Sequence, residues 1–104
     1  MIELSEFIPA IQSYDKAIEL NPNHAAALNN RGVILKTLKQ TAVALKNFDR
    51  AIEIAPQYAD AYSNRGYALL ELGDKREARK SFEAALKIKP DYVSAKEGKA
   101  LASE

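Results

Sequence analysis

The chain of 104 residues has no cysteine and no tryptophan, a single histidine, and only four glycines and four prolines. Without cysteine there is no disulfide and no thiolate metal site, and the redox compartment leaves no mark on the sequence. His24 stands beside Asn23 in the turn after Pro22 with no second imidazole to complete a zinc site, and it reads as a surface turn residue. None of the glycines, Gly32, Gly66, Gly73 and Gly98, follows a strand-like run, so neither a P-loop nor a dinucleotide fingerprint is present. No apolar run approaches the roughly 18 residues that span a bilayer. The opening Met-Ile-Glu-Leu-Ser-Glu lacks the basic-then-apolar layout of a secretory leader. Cytoplasm is therefore the expected compartment, with no membrane partner. Charge of one sign is lacking too. Fifteen Lys and Arg face 14 Asp and Glu, a net +1, with neither a basic block for nucleic acid nor an acidic tail. Paired acids such as Asp49/Glu53 and Glu71/Asp74 read as solvated helix faces, and no credible Ser–His–Asp order exists. No catalytic residue, metal or cofactor is assigned.

What the chain does have is a period. Pro22, Pro56 and Pro90 stand 34 residues apart. Residues 25–58 set above 59–92 agree in about 14 of 34 columns. The shared positions include Asn30/Asn64, Arg31/Arg65, Gly32/Gly66, Leu35/Leu69, Ala44/Ala78, Phe48/Phe82, Ala51/Ala85 and Tyr58/Tyr92. One step further back the same pattern gives Ala10, Tyr14, Ala17 and Leu20. A fixed period of this length marks a repeat array, in which each unit covers its neighbour's apolar face. The expected organisation is a single domain: a partial repeat over 1–24 holding a second helix only, full repeats over 25–58 and 59–92, and a capping helix over 93–104.

Each unit reads as helix, turn, helix, turn. Leu28, Ile34, Leu35 and Leu38 fall near helical spacing, as do Tyr62, Leu69 and Leu72, so first helices are predicted over Ala25–Leu38 and Ala59–Leu72. Second helices are predicted from Ala42 to Ile54 and from Arg76 to Ile88. Gly73-Asp74 is a helix stop, and Lys39-Gln40-Thr41 holds the same place one unit earlier. In Ala44-Phe48-Ala51 and Ala78-Phe82-Ala85, residues four and three apart share one face. The alanines admit a neighbouring helix closely, and the ring fills the space between them. Each proline then ends its helix, because the residue before proline is steered out of the α region. A helix over Phe7–Leu20, capped by Ser5, is expected to start irregularly at Pro9, which has no N–H to donate. Val93–Ser103 reads as a helix with small apolar residues on one side and charges on the other.

Gly32-x2-Leu35…Ala44-x3-Phe48…Pro56 and Gly66-x2-Leu69…Ala78-x3-Phe82…Pro90 resemble the tetratricopeptide repeat (TPR) pattern. The resemblance covers almost the whole chain. Leu28 and Tyr62 stand where the pattern has tryptophan, and Arg31 and Arg65 where it has leucine; bulk is kept and an arginine stem still packs. The resemblance implies an all-α, right-handed superhelical solenoid of antiparallel helix pairs. First helices line a concave groove and second helices form the convex back. It implies a non-enzymatic interaction scaffold that binds a protein or peptide, or the TPR segment of a larger protein such as a glycosyltransferase-like enzyme.

On that frame the groove is expected to be lined by Asn29, Asn30, Val33 and Lys36 of one first helix and Asp60, Ser63, Asn64, Tyr67, Leu70 and Glu71 of the next. Ser94, Glu97, Gly98 and Leu101 continue it on the last helix. Asn30 and Asn64 resemble the first rungs of the asparagine ladder in the TPR superhelix of O-linked N-acetylglucosamine transferases, where amides grip a peptide backbone. The alternative is that they bond within the solenoid. Tyr67, Val33, Leu70 and Leu101 read as an apolar groove floor, or Tyr67 as a packing residue between first helices. Arg31 and Arg65 read as inter-repeat residues rather than anion binders. A carboxylate clamp for chaperone tails, another mode the family implies, needs two lysines, two asparagines and an arginine. Its slots hold Asn29, Val33, Asn64, Ser94 and Gly98, of which only Asn64 fits, and the reading excludes that mode. Self-association is the competing function: the helix near the N-terminus lacks its partner, and Ile2, Leu4, Phe7, Ile11 and Ile18 supply apolar surface for a homodimer.

Overall fold

The computed structural model describes the backbone of residues 4–104 and the side chains of residues 6–104. Six α-helices make up these residues: α1 (Leu4–Leu20), α2 (Ala25–Thr37), α3 (Thr41–Ile54), α4 (Ala59–Glu71), α5 (Lys75–Ile88) and α6 (Val93–Ala102). Successive helices pack antiparallel, α2 on α3 and α4 on α5. In one layer α2 touches α4 and α4 touches α6, whereas no Cα pair of α3 and α5 lies within 8 Å. The layer whose members touch is the inside of the curve, and the layer whose members are splayed is the outside. The first helices α2, α4 and α6 therefore form the concave side.

The expected boundaries hold to within a residue or two except at α1. That helix begins at Leu4 and runs through Pro9 without the irregular start predicted for it. Ser5 lies inside its first turn, so its expected place as the cap is corrected; its side chain and residues 1–3, with Ile2, are outside the described residues. Capping elsewhere follows local chemistry. The Asp74 carboxylate accepts from the Glu77 amide at 3.2 Å, and the His24 Nδ1 accepts from the Ala27 amide at 3.2 Å. His24 thus starts α2 rather than merely decorating a turn.

The two helix pairs turn through the same motif. Asp74 N–H bonds the Leu69 carbonyl at 2.9 Å and Gly73 N–H that of Leu70 at 3.1 Å. In the preceding pair Gln40 N–H bonds Leu35 at 2.8 Å and Lys39 N–H bonds Lys36 at 3.0 Å. This pairing of 6→1 and 5→2 bonds satisfies carbonyls that a helix end leaves free and needs a left-handed residue. Gly73 supplies it with φ 85°, and Lys39, unusually for a residue with a side chain, with φ 68°.

Ala44, Phe48 and Ala51, like Ala78, Phe82 and Ala85, are completely buried. The core they build is shared across units. Phe48 packs with Leu35 and Ala44 of its own pair and with Ala68 of the next; Ala51 packs with Leu28 and with Ala61 of the next. Phe82 packs with Leu69 and with Ala95 and Ala102 of α6. Burial that crosses every boundary leaves no helix pair with a core of its own, so stability resides in the stack. The rings are held tightly. A Cβ added at Gly32 would lie 2.6 Å from Phe48, one at Gly66 would lie 2.6 Å from Phe82, and one at Gly98 would also meet the Phe82 ring.

Helix α6 is buried along Ala95, Gly98 and Ala102, the side that faces α5, while Lys96, Lys99, Ala100 and Ser103 are exposed. At the other end Ala10, Tyr14 and Ala17 are only half-buried where their equivalents are sealed, because no helix packs on that side of α1 among the described residues.

Candidate functional site: the concave layer

Side chains from α2, α4 and α6 meet in a network along the concave layer. Asn64 Nδ2 donates to Asn29 Oδ1 at 2.9 Å, and Asn29 Nδ2 donates to the Tyr58 hydroxyl at 3.3 Å. The Ser63 and Ser94 hydroxyls share a hydrogen bond at 3.0 Å. Tyr67 donates to the Ser94 carbonyl at 2.7 Å and sets its ring edge-on to Phe82, centroids 4.9 Å apart. These bonds stitch α2 to α4 and α4 to α6 in the layer where curvature brings them closest.

Several expectations about the groove are corrected by this network. Asn29 is 4% exposed and Ser63 is fully buried, so both serve the joints between helices and neither faces a ligand. Asn64 is half-buried and its amide bonds Asn29, not the residue at its own repeat position. The two-rung stack of Asn30 and Asn64 is therefore not formed; Asn30 alone is exposed. The register explains this. Parallel neighbours are staggered, so an i to i+35 pair meets across the joint. Tyr67 takes the packing alternative, with its hydroxyl committed to Ser94. Leu70 packs against the core cluster around Phe82 instead of flooring the groove.

What faces outward is a shorter set. Asn30 and Asp60 are exposed. Val33 is 40% exposed and Leu101 48%. Val33, Tyr67 and Leu101 hold the same repeat position on the three concave helices, with Tyr67 half-buried between two exposed apolar residues in the order of the repeat. Lys36 Nζ lies 3.4 Å from Glu71 Oε1 and 5.9 Å from the Tyr67 ring centroid. Glu71 Oε2 also accepts from the Thr41 hydroxyl at 2.8 Å. Partial burial would raise the Glu71 pKa, but the Thr41 hydroxyl and the Lys36 charge outweigh it and hold the carboxyl below its ordinary range. At the other end of α4, burial first and then the Asp60 carboxylate push the Tyr92 phenol up to about 12. Burial and Asp60 also raise Tyr58, against the opposing Asn29 bond.

The arginines act between repeats, in line with the sequence reading. Arg31 Nε bonds Asp15 at 2.7 Å and its Nη1 bonds Asn47 at 3.1 Å; Arg65 Nε bonds Asp49 at 2.6 Å and its Nη1 bonds Ser81 at 2.6 Å. Each reaches one residue 16 before and one 16 after it. Each thus ties its own helix to the second helix of the preceding unit and to that of its own. Among the described residues no three His, Cys, Asp or Glu side chains are grouped to hold a metal, and no helix is long and apolar enough to cross a membrane.

A helical solenoid with a 34-residue period and this shared core defines a class of protein, the helix-pair repeat. The chain belongs to the tetratricopeptide repeat family: a tetratricopeptide repeat model matches residues 23–91 and a TPR repeat model matches residues 3–39. No curated protein sequence matches it. Among solved structures it is similar to the first TPR of Spaghetti (RPAP3) bound to the HSP90 peptide SRMEEVD, with TM-score 0.91 and 29% identity, over 95% of this chain and 79% of that one. It is similar to the Arabidopsis OM64 TPR domain, with TM-score 0.91 and 27% identity, over 95% and 82%. The second TPR domain of human RPAP3 in complex with the HSP70 peptide SGPTIEEVD gives TM-score 0.89 and 25% identity, over 96% and 83%.

Proposed function

We propose that this protein is a non-enzymatic scaffold that takes an extended peptide or a helix on its concave face. The observation that carries this is the pair of exposed apolar side chains Val33 and Leu101 at the same repeat position of α2 and α6, on the layer that also exposes the polar groups of Asn30, Asp60 and Glu97. Apolar anchors within a polar rim are how peptide grooves gain affinity. The similar RPAP3 domains, which hold chaperone peptides, support peptide binding by this architecture. Their ligand class is a poor fit for this groove. The clamp slots hold Asn29 and Asn64, which bond each other, with Val33, Ser94 and Gly98; none is a cation. Asp60 and Glu97 would repel an acidic tail, so the expected occupant is a neutral or basic segment with apolar anchors.

The test uses peptides selected from a random library against the wild-type chain. Val33→Asp with Leu101→Asp changes two exposed side chains and should leave the melting curve in place. Binding of the selected peptides is expected to weaken by about tenfold or more. Equal binding to both proteins, or enrichment of acidic tails, would overturn this reading.

A second reading, homodimerisation through the edge of α1, rests on a different observation. Ala10, Tyr14 and Ala17 lack the cover that seals Ala44, Phe48 and Ala51, and Ile8 and Leu20 are 49% and 78% exposed. The residues expected to form that edge lie elsewhere: Phe7 is buried, and Ile11 and Ile18 pack into the clusters around Phe48 and Ala51. The side chain of Leu4, like all of Ile2, is outside the described residues.

A further inference from the structure

The outer side of α5 carries a charged cleft. Lys75, Arg76, Arg79 and Lys80 of α5, with Glu83, face the C-terminal turn of α6 across a space of about 650 Å³. All four cations are exposed. Lys75 Nζ reaches the Glu104 carbonyl at 3.2 Å and Lys80 pairs with Glu77 at 3.3 Å, while Arg76 and Arg79 make no hydrogen bond or ion pair among the described residues.

One period earlier the same positions carry Thr41, Ala42, Leu45, Lys46 and Asp49. There Thr41 is buried and Leu45 half-buried, because α4 packs over them, with Glu71 on the Thr41 hydroxyl and Leu69 in the cluster that Leu45 joins. At α5 the covered leucine has become Arg79 and the alanine Arg76. A polar outer face keeps a solenoid soluble, but solubility is indifferent to sign. Like charges four apart on a helix, as in Lys75/Arg79 and Arg76/Lys80, repel and destabilise it by a few tenths of a kcal/mol. Mixed signs would cap the edge without that repulsion. In a chain of net charge +1, four cations on one face of one helix fit a counter-charge.

We propose that this cleft is a second binding site, separate from the concave groove, and that it takes a short acidic peptide segment through its side-chain carboxylates. Guanidinium forks pair carboxylates through two parallel hydrogen bonds, and Arg76 and Arg79 are free to do so. A nucleic acid fits less well. No aromatic ring lines the cleft to stack a base, and Glu83 and Glu104 at its margin interrupt a path for continuous phosphates. A peptide can place its acids between them. With this site on α5 and the proposed peptide groove on α2, α4 and α6, one chain can hold two segments of opposite charge preference at once.

The experiment uses the full chain and fluorescein-labelled hexaglutamate at low ionic strength, followed by anisotropy, with backbone amide NMR to place the site. Shifts are expected at residues 75–83 and the end of α6. The double variant Arg76→Ala with Arg79→Ala is expected to bind about tenfold more weakly or worse, with its circular dichroism melt unchanged. The charge-neutral groove variant Val33→Ser with Leu101→Ser should bind hexaglutamate as wild type does, which separates this site from the groove reading. The proposal is overturned by shifts in the groove or spread evenly over the surface, by undiminished binding in the arginine variant, by no binding at low salt, or by tighter binding of oligouridylate than of hexaglutamate.

Discussion

Arg65 joins three helices with one side chain, bonding Asp49 on α3 and Ser81 on α5 from its place on α4. Ser81 is buried, and the Asp49 carboxylate is about half exposed, so the two contacts differ in worth. A charge-assisted bond to a buried hydroxyl contributes more than an exposed ion pair, which is screened. Arg65→Ala is expected to lower unfolding stability by about 1–2 kcal/mol, read by urea denaturation. Arg65→Lys should recover less than half of that loss, because a single ammonium cannot span both partners. Full recovery by lysine would show that charge alone matters. The packing role of both arginines was legible in the sequence from their place in the repeat. The Asn29–Asn64 bond was not, since it depends on the stagger between neighbouring helices, which a column alignment does not contain. The capping role of His24 was equally hidden, because histidine is not among the usual cap residues.

The turn between paired helices shows how one backbone motif tolerates different residues. Gly73 meets the left-handed requirement without strain, while Lys39 adopts φ 68° against the Cβ–carbonyl repulsion that disfavours it for L-residues. Lys39→Gly removes that strain but also loosens the unfolded chain. The net is expected to be a gain of about 0.5 kcal/mol. Gly73→Ala, which keeps the turn and adds the strain, is expected to lose about 1 kcal/mol. Chemical denaturation of both variants checks this, and a destabilised Lys39→Gly would count against the strain account. The sequence marked Gly73-Asp74 as a stop from composition. It reached the Lys39 turn only through the period, because lysine carries no turn signal of its own. At α1, propensity misled in the other direction. Proline was expected to disturb the start, yet the helix runs through it from Leu4.

For the molecule as a whole, every cluster of the core belongs to two adjacent units, so an open end is an unfinished core. Among the described residues Ala95, Gly98 and Ala102 of α6 close over Phe82, with Lys96 and Lys99 exposed on the outer side. On α1 Tyr14 is only half-buried and Ile8 is exposed. If that edge pairs two copies, light scattering across micromolar concentrations should show the mass rise towards a dimer. Ile8→Asp with Tyr14→Ser should restore a monomer without altering peptide binding. A monomer at every concentration would sink self-association and leave the scaffold reading intact.

The sequence by itself determined the period, and through it the helix pairs, the Ala-x3-Phe-x2-Ala core and the family. These depend on which residues recur, and recurrence is visible in one dimension. Only the tertiary structure decided which polar side chains are spent holding the stack and which are left for a partner. Asn29, Ser63 and Tyr67 occupy groove positions by number yet are consumed at the joints, because parallel helices in the inner layer of a curve come close enough to bond. Arg76 and Arg79 stand exposed on α5 because, among the described residues, no helix covers them as α4 covers Leu45 on α3. Curvature and the covering of one helix by the next are properties of the assembly, and no column of the repeat records them.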